Sequence, residues 1–168
     1  MSRDDKVSFI RTTPSTTDSW YTPPHIVESL GRFDLDPCTM SVAPFRHAGT
    51  NFYYDRGEDG LARDWHGRVW LNPPYSNWVP WLKKLSDHGD GIALISARTE
   101  TRGFFDHVWY DANAVLFLQG RIRFIKPDGT KGPSPTLGSV LIAYGKTNSG
   151  ALVASGLKGK YINLRNQS

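Results

Sequence analysis

The chain is short of several things, and each shortage removes a class of protein. Cys38 is its only cysteine in 168 residues, so an internal disulfide is impossible and a reducing compartment is expected. No apolar run approaches the ~20 residues that a membrane-spanning helix needs, and Met1-Ser2-Arg3-Asp4-Asp5-Lys6 lacks the apolar core of a signal peptide. A soluble, cytoplasmic protein is expected, with neither a membrane nor a metal among its partners. No G-x-G-x-x-G turn follows the first strand-like segment, which removes a dinucleotide site of the usual kind. Acid is not in excess either: 20 Lys and Arg against 16 Asp and Glu leave a net charge of +4, a mild basic balance compatible with a polyanionic partner. The length suits one domain and is too short for a catalytic domain plus a large recognition domain. Any sequence recognition must then come from loops.

What is there is organised around Asn72-Pro73-Pro74-Tyr75, which follows the apolar run Val69-Trp70-Leu71. The run reads as a buried strand that stops where two prolines remove its hydrogen-bond donors. Fixed φ angles at the prolines present Asn72 and Tyr75 instead of absorbing them into a sheet. The chemistry this group suits is methylation of an exocyclic amine on a nucleobase. Such an amine is a poor nucleophile because its lone pair is delocalised into the ring. Two acceptors on its two hydrogens, the Asn72 side-chain oxygen and the Pro73 carbonyl, favour a tetrahedral nitrogen with a localised lone pair. Tyr75 would stack on the base, which must be flipped out of a duplex to reach the loop. A rigid turn with a half-buried tyrosine is the plain alternative.

Residues 1–17 are polar and charged and read as a flexible arm in which Arg3, Lys6 and Arg11 are more readily solvated than bound to phosphate. Trp20-Tyr21-Thr22-Pro23-Pro24 then opens a helix, with Thr22 as N-cap, Pro23 at the first helical position, Gly31 beyond the end, and Ile26, Val27 and Leu30 on its apolar face. Phe33-Asp34-Leu35-Asp36-Pro37-Cys38 reads as a short strand ended by Asp36-Pro37. A carboxylate at the C-terminal end of a parallel strand faces the crevice where such sheets bind ligands, or else serves nearby N–H groups. Cys38 follows a proline, the setting of a cytosine C5 nucleophile, but amine methylation needs no covalent intermediate, so it reads as a packed or cofactor-lining residue. Asn51–Asp55 holds Phe52, Tyr53 and Tyr54 in a short strand or aromatic loop. Asp64-Trp65 reads equally as a contact to a cofactor's adenine or as a helix cap beside a core tryptophan. Only about thirty residues separate Asp36 from Val69, too few for two strand-helix crossovers, so the middle of the fold is reduced.

Beyond the tetrapeptide, Ser76 caps a helix to His88 with Trp78, Trp81, Leu82 and Leu85 on one face. Gly91–Ile95 is the next buried strand. Its following loop, with Arg98 and Arg102 in reach of DNA phosphate, opens on the same crevice as Asn72. A helix from about Thr101 to Tyr110 and a strand Ala114–Leu118 come next. Gly120-Arg121-Ile122-Arg123-Phe124 alternates charge and apolarity, placing both arginines on one face of a strand. That face is either a DNA-contacting surface or the charged protection of a sheet edge. A turn at Pro127-Asp128-Gly129 and a final strand Ser139–Tyr144 complete a C-terminal antiparallel hairpin. From Lys146 the chain is rich in Gly, Ser, Lys and Asn and reads as a weakly ordered tail, 146–168.

With these residues laid out, the chain resembles the phage-type DNA N-6-adenine methyltransferases of the Dam family. The matching pieces are Trp20-x-Thr22-Pro23, Asp34-x-Asp36-Pro37, Asp59-Gly60-Leu61 with Asp64-Trp65, Asn72-Pro73-Pro74-Tyr75, and Gly120-Arg121-x-x-Phe124 with Ser134-Pro135, in the family's order over roughly residues 18 to 145. The resemblance implies an α/β domain over 18–145 with a compact Rossmann-like methyltransferase sheet, S-adenosylmethionine as cofactor, and site-specific methylation of a flipped-out adenine in double-stranded DNA. It also implies a bacterial host cell and a phage or prophage origin. By matching position, Asn72, Pro73, Pro74 and Tyr75 form the catalytic loop. Asp34, Asp36 and Pro37 form the cofactor loop, and Trp20, Thr22, Pro23, Asp64 and Trp65 are further cofactor contacts. The chain departs from larger adenine methyltransferases in lacking their glycine-rich turn and recognition domain. RNA or protein glutamine as the acceptor, and an inactive DNA-binding relative, are the alternative readings.

Overall fold

Unbroken apolar runs make strands that can be buried on both faces, and the sheet is built from them. The structure is a computed structural model and describes residues 20–165; the arm expected over 1–17, with Arg3, Lys6 and Arg11, lies outside the described residues. Seven strands, β1 (Phe33–Thr39), β2 (Ala48–Tyr53), β3 (Val69–Leu71), β4 (Gly91–Ser96), β5 (Ala114–Leu118), β6 (Ser139–Tyr144) and β7 (Gly159–Asn163), form one sheet in the order β2-β1-β3-β4-β6-β5-β7. The first four strands run parallel. β6 is inserted antiparallel between β4 and β5, and β7 pairs antiparallel with β5. The four helices are α1 (Pro24–Glu28), α2 (Trp78–His88), α3 (Arg102–Phe104), which runs on as a π-wound turn Phe105–Trp109, and α4 (Lys146–Ala154). This is the expected α/β sheet, with a parallel core and antiparallel C-terminal strands.

Strand alternation divides the core into two layers. Leu35, Val69, Leu71, Ala93 and Ile95 face the buried side chains of α2 and α3, among them Trp81, Leu82, Leu85 and Phe104. Trp70, Ile92, Leu94 and Leu116 face α1 and α4 on the other side through Ile26, Val27, Leu30 and Leu152. The middle is reduced as the spacing predicts: between β2 and β3 there is one 3-10 turn, Tyr54–Arg56, and the parallel pair β1–β2 is joined by loop 40–47 instead of a helix. Among the described residues no helix is long and apolar enough to cross a membrane.

Several local expectations are corrected. The first helix starts one residue late, with Pro23 as its cap and Pro24 at the first helical position, because Thr22 is drawn into the extended segment that pairs Tyr21 with Ile125. β1 does not stop at Asp36-Pro37 but runs to Thr39. The ladder with β2 shifts between Asp36 and Thr39, and that irregularity accommodates a proline with no donor. α2 begins at Trp78 with Asn77 in the cap position, after a 3-10 turn Tyr75–Asn77, so Ser76 is not the cap. Gly120–Phe124 forms no strand. It crosses the α1 face of the sheet with Ile122 and Phe124 buried and both arginines exposed, so the alternation is kept without a ladder.

The largest correction is the tail. β6 is not the last strand, and residues from Lys146 supply α4 and β7. Asn148 is fully buried. Its Nδ2 donates to Asp90 Oδ1 at 2.8 Å and to the Tyr144 carbonyl at 2.7 Å, and its Oδ1 accepts from Arg68 Nε at 2.6 Å. A polar composition concealed this because one satisfied amide, not an apolar stripe, fixes the helix.

Candidate functional site

The parallel strands all end at one edge of the sheet, and the tetrapeptide stands there directly after β3. Asn72 Nδ2 donates to the Trp20 carbonyl at 3.1 Å, which sets the orientation of its amide. Its Oδ1 and the neighbouring Pro73 carbonyl receive no hydrogen bond from any described residue. The Pro74 carbonyl is used locally, accepting from the Asn77 N–H at 3.1 Å. Tyr75 is half-buried, its ring edge-on to Phe124 at 6.0 Å, and burial holds its hydroxyl well above the usual range.

The Trp20–Thr22 segment lies across the loop and is held from both sides. Tyr21 and Ile125 exchange two backbone hydrogen bonds of 2.9 Å. Behind Trp20 sits Gly132, where a Cβ would come within 2.4 Å of the indole, so only glycine lets the hairpin approach so closely. Between this segment, β1 and β3 lies an open cleft, about 450 Å³ with the solvent space at its mouth included, lined by Asn72 and Pro74, by Trp20, Tyr21 and Thr22, by Asp36 and Cys38, and by His47 and Trp70.

The cleft is rich in polar groups without partners. Asp36 is 5% exposed; burial pushes its carboxyl up to about 7, against a hydrogen bond from the Cys38 N–H at 3.1 Å and the field of Arg46. Tyr21 Oη, Thr22 Oγ1 and His47 Nε2 are buried with no hydrogen-bond partner among the described residues. Burial pushes Tyr21 up to about 12, with Asp55 adding to the effect. Burial lowers His47, although the Thr22 carbonyl favours its charged ring. Buried groups of this kind are normally paired, so a cleft that leaves three of them bare is shaped for a polar ligand. Burial and then Asp36 push the Cys38 thiol well above its usual value, the opposite of what a thiolate nucleophile needs. No group of three or more metal-ligating side chains occurs among the described residues.

Of the residues singled out from sequence, the structure brings Trp20, Thr22, Asp36, Asn72 and Pro74 together around this cleft. Pro73 and Tyr75 adjoin it, and Pro37 is buried in β1 beside Asp36. Four of the expected cofactor contacts are placed elsewhere. Asp34 is exposed, and its Oδ2 accepts from the Arg68 N–H at 2.7 Å, so it fastens β1 to the start of β3. Trp65 donates to the Gly60 carbonyl at 2.7 Å and stacks near Trp81 at 6.5 Å, with exposed Asp64 beside it. Pro23 turns towards a second groove, lined by the start of α1. Arg98 is exposed beyond β4. Arg102 is also exposed and pairs with Asp106 at 3.4 Å; Arg121 and Arg123 flank the second groove. Sequence reasoning missed Tyr21 and His47. A tyrosine and a histidine without a recognisable spacing carry no signal until the fold leaves their polar atoms bare.

Comparison with known proteins bears on the same residues. Residues 10–151 match the family described as DNA N-6-adenine-methyltransferase (Dam). A DNA N-6-adenine-methyltransferase of Haemophilus phage HP1 (strain HP1c1) is 30% identical over 125 residues, 68% of this chain and 70% of that protein. One from Escherichia phage T1 is 25% identical over 117 residues, 64% of this chain and 48% of the phage protein, so the chain spans about half of that relative's length. With the free Asn72 oxygen and the bare cleft beside it, these matches lead to one conclusion: the chain belongs to the Dam family of DNA N-6-adenine-methyltransferases.

Proposed function

We propose that Asn72–Tyr75 methylates adenine N6 in double-stranded DNA and that the adjoining cleft holds the methyl donor. The observation that carries the reading is the orientation of Asn72: its Nδ2 is spent on Trp20, leaving Oδ1, like the Pro73 carbonyl beside it, an acceptor with no donor among the described residues. Enzymes of this family use S-adenosylmethionine, which when bound supplies an electrophilic methyl group on sulfur.

The cleft fits that cofactor. Asp36 offers an acceptor to an ammonium group, and Tyr21, Thr22 and His47 carry unpaired atoms suited to its other polar groups. Asn72 Oδ1 and the Pro73 carbonyl accept the two hydrogens of the adenine amine, which draws its lone pair out of conjugation. This interaction strengthens as the nitrogen becomes tetrahedral and positive, so it favours the transition state over the bound base. The amine's extra proton then leaves to water. The Tyr75 ring, braced by Phe124, supplies the flat apolar surface against which a flipped base packs. Arg98, Arg102, Arg121 and Arg123 stand on the loops that follow β4 and β5 and serve as phosphate contacts.

The deciding experiment incubates the protein with labelled S-adenosylmethionine and mixed-sequence duplex DNA, then digests to nucleosides for mass spectrometry. Label in N6-methyladenine that disappears in Asn72→Ala supports the proposal. Label confined to RNA or protein acceptors offered in parallel, or label in cytosine, refutes it.

A further inference from the structure

The second groove is lined by the start of α1 and by Arg121, Ile122 and Arg123 of the alternating segment that follows β5, with Lys131 and Lys158, to which no sequence motif assigns a role at a site, beside them. It has an empty volume of about 1070 Å³ including its mouth, and aliphatic side chains, among them Leu118, Ile122 and Leu157, form its floor. Arg121, Arg123, Lys131 and Lys158 line it together with His25, and among the described residues no acidic side chain does. Four cations thus converge from three separate segments. Arg121 reaches only a backbone carbonyl, that of Thr136 at 3.4 Å, and the side chains of Arg123, Lys131 and Lys158 make no ion pair or hydrogen bond among the described residues. Like charges brought together without partners repel one another, and a polyanion removes that repulsion.

Topology says where this groove stands relative to the chemistry. β3, β4 and β5 all run in the same direction, because β5 is antiparallel to β6, which is antiparallel to β4. Leu118, the last residue of β5, therefore lies at the sheet edge that carries Asn72, and Gly159 opposite it brings Lys158 to the same edge. From β3 to β5 there are three strand spacings, β3-β4-β6-β5, or about 14 Å at ~4.8 Å each. The groove wall is also tied to the catalytic loop: Ile125 pairs with Tyr21, next to the Trp20 carbonyl that orients Asn72, and Phe124 packs against Tyr75.

From this placement the geometry points to a second contact with DNA. The groove holds the sugar-phosphate backbone about four base-pair steps from the flipped adenine, since ~14 Å spans about four steps of 3.4 Å. Contact is with backbone and not with splayed bases, because the floor is aliphatic and offers no aromatic stacking platform. The inference rests on Asn72–Tyr75 being the site of methyl transfer. It adds Lys131 and Lys158 to the substrate surface, and makes β7, at the end of the chain, part of it.

The test uses the full chain with Arg121→Gln/Arg123→Gln and, separately, Lys131→Gln/Lys158→Gln. Anisotropy of a labelled mixed-sequence duplex gives the affinity across a salt series, and calorimetry gives the affinity for S-adenosylmethionine. If each cation meets one phosphate, each pair lowers the slope of log K against log salt by about 1.8. Affinity for duplex at low salt falls at least tenfold, while cofactor affinity is unchanged. Slopes equal to wild type in both variants overturn the inference. So does an equal loss in Lys83→Gln, a cation on the outer face of α2 that pairs with Asp87. A wild-type chain that shows these slopes but methylates no adenine would refute the catalytic reading and leave the groove standing.

Discussion

The pH dependence of cofactor binding gives the sharpest test of the cleft. Asp36 is buried, and its carboxyl is pushed up to about 7, so between about 4 and 7 the folded chain holds a proton that the unfolded chain has lost. The unliganded protein therefore loses stability as pH rises through that window, the reverse of an ordinary salt-bridged carboxylate. A bound ammonium reverses the balance by favouring the ionised carboxylate. Cofactor binding below pH 7 must then release a proton, and affinity must rise as pH rises. With a pKa of about 7, the ionised fraction grows from roughly 3% at pH 5.5 to roughly three-quarters at pH 7.5, so the Kd for S-adenosylmethionine should tighten by roughly 25-fold. Towards the top of that range the ligand's own α-amino group, with a pKa of ~8, begins to lose its charge, which trims the gain to roughly 20-fold. Two neighbouring groups do not mimic the effect: Tyr21 and Cys38 are pushed up and stay neutral throughout this range. Calorimetry in two buffers of different ionisation heat reads both the Kd and the proton count. About 0.9 protons should be released at pH 6, and binding to Asp36→Asn should be weak and flat with pH. A wild-type Kd that does not change between pH 5.5 and 7.5, or an Asp36→Asn variant that keeps the wild-type slope, refutes the argument.

Three further outcomes are expected. Asn72→Ala should lower kcat with DNA by about 10² to 10³, the usual cost of one preorganised polar contact to a transition state, while the Kd for S-adenosylmethionine stays within about threefold; single-turnover methylation with binding measured separately checks this. Asn148→Ala removes three hydrogen bonds of a buried amide, which join α4 to β6, Arg68 and Asp90. At about 2 kcal/mol it should lower Tm by about 6 °C in a calorimetric scan. Ending the chain after Gly145 removes β7 and exposes the β5 edge that it covers. That variant should be aggregated in size-exclusion chromatography, in contrast to a chain ending after Arg165.

The contrast between Asn72 and Asn148 shows which parts of this molecule were legible in the sequence. Asn72 announces itself because its chemistry depends on covalent neighbours: prolines that cannot pair, a carbonyl fixed beside the amide, an aromatic three residues further on. Local constraints of that kind survive in the linear chain, and so do the runs Val69–Leu71, Gly91–Ile95 and Ala114–Leu118, whose burial on both faces needs no long-range information. Asn148 is as indispensable to the fold but takes its partners from Arg68, Asp90 and Tyr144, and nothing in a Gly- and Ser-rich stretch reveals that they converge. Asp34 and Asp36 make the same point within a single strand. They share a motif and a face, yet one fastens the backbone of Arg68 while the other enters the cleft. What separates them is position along β1, one at its second residue and one at its midpoint, level with the last residues of the short β3. A ligand-facing carboxylate is thus specified by its depth in the sheet as well as by its motif, and depth is a property of the assembled strands.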